Sequence, residues 1–169
     1  MSRKEFYNLF VDLLNDIYSG ENQLIDVLPH FAEASTNPNL KKAFTHHLKE
    51  TKEQKKRLDE IYHKIGEHPG DEKCEAMEGL VAECSECIKR YKKSPIRDAA
   101  LIRCAQCVEH YEIANYGTLR AFAKELNRND IADIVQHSLD EEGEANKTLN
   151  AVAEGGIFTS GVNDKALNS

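Results

Sequence analysis

Glutamates stand near the middle of four long helical segments, at positions that should face the protein interior: Glu21, Glu50, Glu109, Glu112 and Glu142. Burying an ionised carboxylate costs several kcal/mol unless a partner compensates it. Because each glutamate lies close to the midpoint of its own helix, bundling the helices brings all five to one level. Carboxylate oxygens are ligands that iron, manganese, magnesium and calcium accept. The pattern predicts an interior metal site; the alternative is that some of these glutamates bond to Arg, Lys, Tyr or water.

The spacing on one helix indicates a site for two ions. Glu109 and Glu112 are one turn apart and face the same way, so together they can chelate or bridge two metals. A dinuclear site uses five or six such ligands.

Three other side chains share the level of the glutamates. His47 is one turn before Glu50, and it could be a ligand, a partner that orients Glu50, or a core histidine with satisfied hydrogen bonds. We favour the last two together. Gln54 lies on the same stripe of its helix. Tyr116 shares the face of Glu109, where it could donate a hydrogen bond to a carboxylate or simply pack in the core.

A second set of metal-binding residue types is formed by cysteines. Cys84-x-x-Cys87 and Cys104-x-x-Cys107 are separated by 16 residues, a spacing typical of four-thiolate zinc sites. They lie on two helices joined by a turn at Ser94-Pro95, so all four sulfurs could face one another across the hairpin. Two alternatives remain open: packing of small soft side chains, which we favour, and a disulfide across the hairpin.

Helical periodicity dominates the chain. It predicts four long helices, over about 3–34, 38–65, 95–126 and 127–154, and a shorter one over about 75–92. The short helix is long enough to carry the chain from one end of a bundle to the other. We therefore predict an all-α protein: a ferritin-like four-helix bundle over 1–154, with a long crossover that contains a fifth, shorter helix. Gly155-Gly156 and the polar residues after them predict a flexible C-terminal tail over 155–169.

Composition excludes several classes of protein. The net charge of −7 over 169 residues argues against nucleic-acid binding, which needs a basic surface. No apolar run approaches the length that spans a membrane. The first residues lack the apolar stretch of a signal peptide, so we expect a cytoplasmic protein.

Several segments together resemble the bacterial YciE/YciF family. They are Y-S-G-E-N-Q-L at 18–24, H-L-K-E-T at 47–51, K-C-E-A-M-E-G-L at 73–80, R-D-A-A-L-I at 97–102, V-E-H-Y-E-I-A-N-Y-G-T at 108–118 and L-D-E-E at 139–142. The resemblance covers nearly all of residues 6–153. It implies a ferritin-like bundle, a homodimer, a dinuclear metal centre and a link to stress responses. It also implies that Glu21, Glu50, Glu109, Glu112 and Glu142 are the metal ligands.

The chain departs from the broader ferritin-like pattern in its histidines. The residue three positions after Glu50 is Glu53, and Ala145 and Asn146 follow Glu142 where a histidine is expected. These differences weaken the case for peroxidase or oxidase activity, although Glu109-x-x-Glu112 is similar to a pair in rubrerythrins.

The leading hypothesis from the sequence is a carboxylate-bridged dinuclear iron (or manganese) centre that handles dioxygen or peroxide in a stress response. The alternatives are a non-catalytic dimeric helical scaffold with a structural metal, or a zinc site at the four cysteines.

Overall fold

The computed structural model describes residues 2–156 and 159–169. Six helices and one short hairpin make up the fold: α1 (Arg3–Ala34), α2 (Pro38–Ile65), α3 (Glu75–Arg90), α4 (Pro95–Glu125), α5 (Asn129–Glu154), β1 (Gly155–Gly156), β2 (Thr159–Ser160) and α6 (Val162–Leu167). The first five helices match the predicted segments to within about two residues at each end, which is the usual uncertainty of helix boundaries. The all-α prediction is confirmed.

Local sequence explains where the helices begin and end. The Ser2 hydroxyl accepts a hydrogen bond from the Glu5 backbone amide, and the Glu5 carboxylate accepts one from the Ser2 amide. Asn37 and Ser94 accept hydrogen bonds from the first amides of α2 and α4, each of which opens on a proline. Gly66 ends α2 in the left-handed conformation, with a φ of 73°. These are common helix-terminating and helix-initiating signals.

The four long helices form a bundle in which neighbours run antiparallel. Extensive contacts join α1 to α2 and α4 to α5, and smaller ones join α2 to α5 and α1 to α4. The antiparallel course of α1 and α4 is visible at both ends of the pair, where Arg97 donates to the carbonyl of Ala34 and Arg3 to that of Leu126. This is the predicted ferritin-like connectivity.

The crossover between the two helix pairs follows α1. After Gly66, the Gly70 amide donates to the Asn15 side chain at 3.1 Å, and further on the Cys74 amide donates to the Ser19 hydroxyl at 2.8 Å. Helix α3 then continues to the far end of the bundle, packed against α4 and α1. The short helix thus returns the chain to the end at which α4 begins.

Two apolar clusters fill the bundle, one toward each end. The first includes Leu24, Phe44, Val108 and Leu149, and the second includes Ile17, Leu58, Tyr116 and Val135. On every long helix the glutamates named above lie between a residue of one cluster and a residue of the other. The middle of the core is therefore a polar layer closed by apolar side chains above and below. No helix in residues 2–156 or 159–169 is long and apolar enough to cross a membrane.

The C-terminal segment differs from the predicted flexible tail. Strand β1 pairs antiparallel with β2, and α6 buries Val162 in the first apolar cluster against α4 and α5. Glycines at two positions allow this segment to pack closely against the end of α5. Gly155 has a φ of 79°, and a side chain at Gly161 would collide with the backbone of Ala153 and Glu154. Residues 157 and 158 of the predicted tail lie outside the described residues.

Candidate metal centre

Four buried side chains from three helices converge in the polar layer. His47 of α2, Glu109 and Glu112 of α4 and Glu142 of α5 each offer a ligand atom, and these atoms all lie within 4.8 Å of one another. His47 Nε2 is 3.6 Å from Glu109 Oε1, 3.9 Å from Glu112 Oε2 and 3.8 Å from Glu142 Oε2. Donors bound to a common ion at ~2.1 Å lie roughly 3–4 Å apart. The group could therefore hold a metal ion.

Glu21 of α1 adds a fourth helix to the layer. Its side chain is fully buried, and the Tyr116 hydroxyl donates a hydrogen bond to its Oε1 atom. The Gln54 amide nitrogen likewise donates to Oε1 of Glu142. One oxygen of each carboxylate is thus held in place, which leaves the other oxygen directed into the layer. Hydrogen bonds of this kind orient the ligands in many metal sites.

The remaining ligand atoms have no hydrogen-bond partner within the described residues. They are one oxygen each of Glu21, Glu109, Glu112 and Glu142 and both ring nitrogens of His47. Native proteins rarely leave buried polar atoms unpaired, because each one costs about 1–3 kcal/mol and a charged group costs more. Bound cations would satisfy the four carboxylate oxygens and one ring nitrogen of His47, so the residues present fit a metal centre.

The pKa values of these groups follow from their burial and mutual charge. Burial, with the charge of Glu142 added, raises the pKa of Glu21 to about 8. Burial also raises the pKa values of Glu109 and Glu112 well above the ordinary range. For His47, burial lowers the pKa, but the charges of Glu109 and Glu142 outweigh it and raise the value to about 10. Without a metal the layer therefore binds protons, which an incoming cation displaces.

Glu50 lies at the rim of the layer, not at its centre. Its side chain is 20% exposed, with Oε1 3.2 Å from His46 Nε2 and Oε2 3.6 Å from His47 Nδ1. The His47 imidazole lowers the pKa of Glu50, so this carboxylate is ionised at neutral pH. A pocket of about 60 Å³ begins here, between α2 and α5, and reaches Glu109. It connects the layer with the surface for a small molecule or ion.

The nearest arginine is already paired elsewhere. Arg57 of α2 forms two hydrogen bonds of 2.6 Å with the Glu141 carboxylate and a third of 3.2 Å with Ser138. The alternative that basic side chains neutralise the interior glutamates is therefore not realised by Arg57. Among the described tyrosines, Tyr116 does bond to an interior glutamate: its hydroxyl donates to Oε1 of Glu21, and Oε2 of Glu21 stays without a partner.

The structure places some of the predicted site residues closer to the centre of the polar layer, and others further from it, than the sequence indicated. Glu109, Glu112 and Glu142 form the centre with His47, and Glu21 completes the layer. Gln54 and Tyr116 hold two of these carboxylates. The sequence favoured His47 as a partner of Glu50 and as a core residue. In the structure its Nε2 atom faces three carboxylates, and only its Nδ1 atom faces Glu50, so His47 lies at the centre of the group. His46 at the rim was missed, although its place four residues before Glu50 was a usable signal.

The four cysteines do not assemble into the four-thiolate site that the sequence left open beside the favoured packing. The Cys104 Sγ atom lies 3.2 Å from that of Cys87 on α3, and Cys84 on the same helix is close enough to perturb the pKa of Cys104. Cys107 lies almost one turn further along α4 and is half-buried. In the described part of the chain, the histidine–glutamate group above is the one cluster of three or more His, Cys, Asp or Glu ligand atoms within 4.8 Å of one another. The helices cross so that Cys104, rather than the Cys104–Cys107 pair, faces α3.

Comparisons with known proteins agree with the fold. A family model described as "Domain of unknown function (DUF892)" matches residues 5–166. Protein YciF of Escherichia coli strain K12 is 40% identical over 169 residues, which cover 99% of each chain. The crystal structure of the E. coli stress protein YciF matches with a TM-score of 0.83 and 41% identity, over 86% of this chain and 92% of that one.

Two further solved structures are similar. YcfI from Rhodopseudomonas palustris has a TM-score of 0.84 and 42% identity, over 90% of this chain and 99% of that one. A Xanthomonas campestris protein, at 19% identity and a TM-score of 0.68 over 86% and 88% of the two chains, shares the fold. With a match over nearly the whole chain and a full-length relative at 40% identity, the protein belongs to the DUF892 family, which confirms the resemblance to YciF seen in the sequence.

Proposed function

We propose that the protein binds a carboxylate-bridged dinuclear metal centre, with iron as the leading candidate and manganese as the alternative. The observation that carries this proposal is the set of buried, unpartnered ligand atoms on Glu21, His47, Glu109, Glu112 and Glu142. A protein that used these residues only for packing would leave several desolvated carboxylates uncompensated in its core.

The charge and chemistry of the donors favour two ions over one. The four buried carboxylates of Glu21, Glu109, Glu112 and Glu142 share one buried imidazole, that of His47, and among the described residues no arginine forms an ion pair with them. Once the four carboxylates are ionised, one divalent cation therefore leaves excess negative charge. Glu109 and Glu112 come from adjacent turns at the centre of the layer, where they can be shared between two ions. Many oxygen donors with one nitrogen donor suit iron and manganese, whereas the cysteines that zinc prefers are elsewhere.

The surroundings of the layer suggest what reacts there. When bound, the metal ions would supply redox and Lewis-acid chemistry. Tyr116 and Gln54 orient Glu21 and Glu142 by hydrogen bonds, and ionised Glu50 gives cations a first contact at the entrance. The narrow pocket of about 60 Å³ admits only small molecules, which favours dioxygen or hydrogen peroxide as the reactant. The 40% identity to YciF, named a stress protein, supports a role in a stress response.

Metal counting tests the ligand assignment. We compare the wild-type chain with Glu109→Gln plus Glu112→Gln, which keeps side-chain shape, and with Glu53→Gln plus Glu60→Gln, which alters two exposed carboxylates of α2 outside the entrance pocket. After loading with ferrous iron under argon, elemental analysis should find two ions per chain in the wild type and the control, and none in the centre variant. Full iron content in the centre variant contradicts the assignment. One ion per chain in the wild type contradicts the dinuclear centre.

A structural role for the metal is the second candidate, and one observation favours it. The ligands come from all four long helices and are almost fully buried, so the ions would cross-link the bundle. Mixing the ferrous protein with hydrogen peroxide separates the two roles. Oxidation within seconds, with peroxide consumed in proportion to iron, supports reaction at the centre. Inert ferrous protein whose melting temperature falls sharply on iron removal supports the scaffold.

A further inference from the structure

Three cysteine thiols form a cluster between α3 and α4 that the metal centre does not use. Cys104 lies between Cys84 and Cys87, and its sulfur is 3.2 Å from that of Cys87. A disulfide bond is about 2.05 Å long, so these two atoms need to move by little more than 1 Å to be bonded. The two residues belong to different helices that already pack together, so the bond would join two segments that are in contact.

The charges around Cys104 favour its thiolate. The Cys87 and Cys104 sulfurs share a hydrogen bond at 3.2 Å, and the Arg103 guanidinium reaches the Cys104 sulfur at 3.7 Å. The hydrogen bond from Cys84, with that from Cys87 and the charge of Arg103, lowers the pKa of Cys104, while the pKa values of Cys84 and Cys87 are raised. One sulfur of the cluster is therefore the nucleophile, and its neighbours keep their protons. A thiolate flanked by a thiol is the arrangement found in redox-sensitive cysteines.

The cluster is close to solvent although Cys104 itself is covered. Arg103 contacts the Cys104 sulfur with a side chain that is 61% exposed, and its other partner, Glu83, is 50% exposed at 2.5 Å. Cys87 is half-buried, so it is the neighbour of Cys104 on the open side, whereas Cys84 is buried beneath it. The Cys104 sulfur is therefore in contact with one largely exposed side chain, Arg103, and with one half-buried thiol, Cys87.

We propose that Cys104 and Cys87 are a thiol redox site that is oxidised by hydrogen peroxide to a reversible disulfide between α3 and α4. In the first step the Cys104 thiolate attacks one peroxide oxygen, the O–O bond breaks, and Cys104 sulfenic acid forms while the leaving oxygen takes up a proton as water. In the second step the Cys87 sulfur attacks the sulfenic sulfur, the S–O bond breaks, and a second water leaves. Two electrons pass from the two sulfurs to the peroxide, and a dithiol reductant returns them.

The experiment treats the purified full-length chain with hydrogen peroxide, in the presence and in the absence of a metal chelator, and then counts free thiols. We expect the wild type to lose two of its five thiols and to recover them with dithiothreitol. Trypsin cleaves after Lys73, Lys89, Arg103 and Arg120, so the bond should join peptides 74–89 and 104–120, with fragment ions assigning it to Cys87 and Cys104. Cys107→Ser, which removes a half-buried thiol of the same helix, should give the same loss of two thiols.

Two further variants identify the order of steps. Cys87→Ser should stop the reaction at a sulfenic acid on Cys104, which dimedone traps. Cys104→Ser should keep all of its remaining thiols at the same peroxide dose. The proposal is overturned if the five cysteines oxidise at equal rates, or if the bond joins Cys104 to Cys84 or to a second chain. It is also overturned if oxidation stops when the chelator is present, because the peroxide would then be reacting at the metal centre.

Discussion

Replacing Glu21 by glutamine should stabilise the metal-free protein at neutral pH. The pKa of Glu21 is raised to about 8 in the folded protein, against an ordinary value of 4.5. Between these values the folded chain holds a proton that the unfolded chain releases, so the free energy of unfolding falls as pH rises. At roughly 1.4 kcal/mol per pH unit, this single group removes about 3 kcal/mol between about pH 5 and about pH 7.5. The raised pKa values of Glu109, Glu112 and His47 act in the same direction.

The assay is urea unfolding of chelator-treated protein at several pH values across that range. The wild-type unfolding free energy should fall with pH, and Glu21→Gln should fall about 3 kcal/mol less. Glu53→Gln, which alters a carboxylate that is 57% exposed on α2, should follow the wild type. Iron loading should abolish the fall, because bound cations replace the protons and keep the carboxylates ionised. A flat or rising profile for the metal-free wild type, or identical profiles for wild type and Glu21→Gln, refutes the reasoning about the buried layer.

Two further substitutions test neighbouring parts of the structure. Tyr116→Phe removes the hydrogen bond to Glu21 and should lower the free energy of unfolding of the metal-free protein by about 1–2 kcal/mol in urea. Iron content should stay at the wild-type value, since a phenol that only orients a carboxylate is not a ligand; loss of an ion contradicts this role. Val162→Ala should cost about 2 kcal/mol, measured by thermal unfolding, because it empties a buried position in α6. Unchanged stability would mean that the C-terminal helix contributes nothing to the core.

The bundle was predictable because its signals are local. Asn37-Pro38, Gly66 and Ser94-Pro95 mark helix ends through hydrogen bonds and backbone angles within a few residues, and the apolar period of 3.6 marks the faces between them. The C-terminal segment was not predictable in the same way. Its packing depends on the left-handed Gly155 and on the close approach of Gly161 to the end of α5, and isolated glycines equally suit a frayed end.

The centre was predictable to the level of helix faces but not to the level of contacts. A wheel position places Glu109, Glu112 and Glu142 inward, and their convergence follows once the helices are bundled. The direction of the His47 imidazole between α2 and α4 depends on its rotamer and on the crossing of the two helices. Residue spacing encodes neither, and so the sequence assigned His47 a lesser role.

The same limit explains the cysteines. The sequence allowed all four cysteines to face one another across the hairpin as a zinc site, beside the packing role that it favoured. The crossing of α3 and α4 brings Cys104 to Cys87 and leaves Cys107 aside. The spacing motif thus groups four cysteines for metal binding, whereas the helix geometry separates them. It places Cys87 and Cys104 at a distance that suits the proposed oxidation and leaves Cys107 outside the cluster.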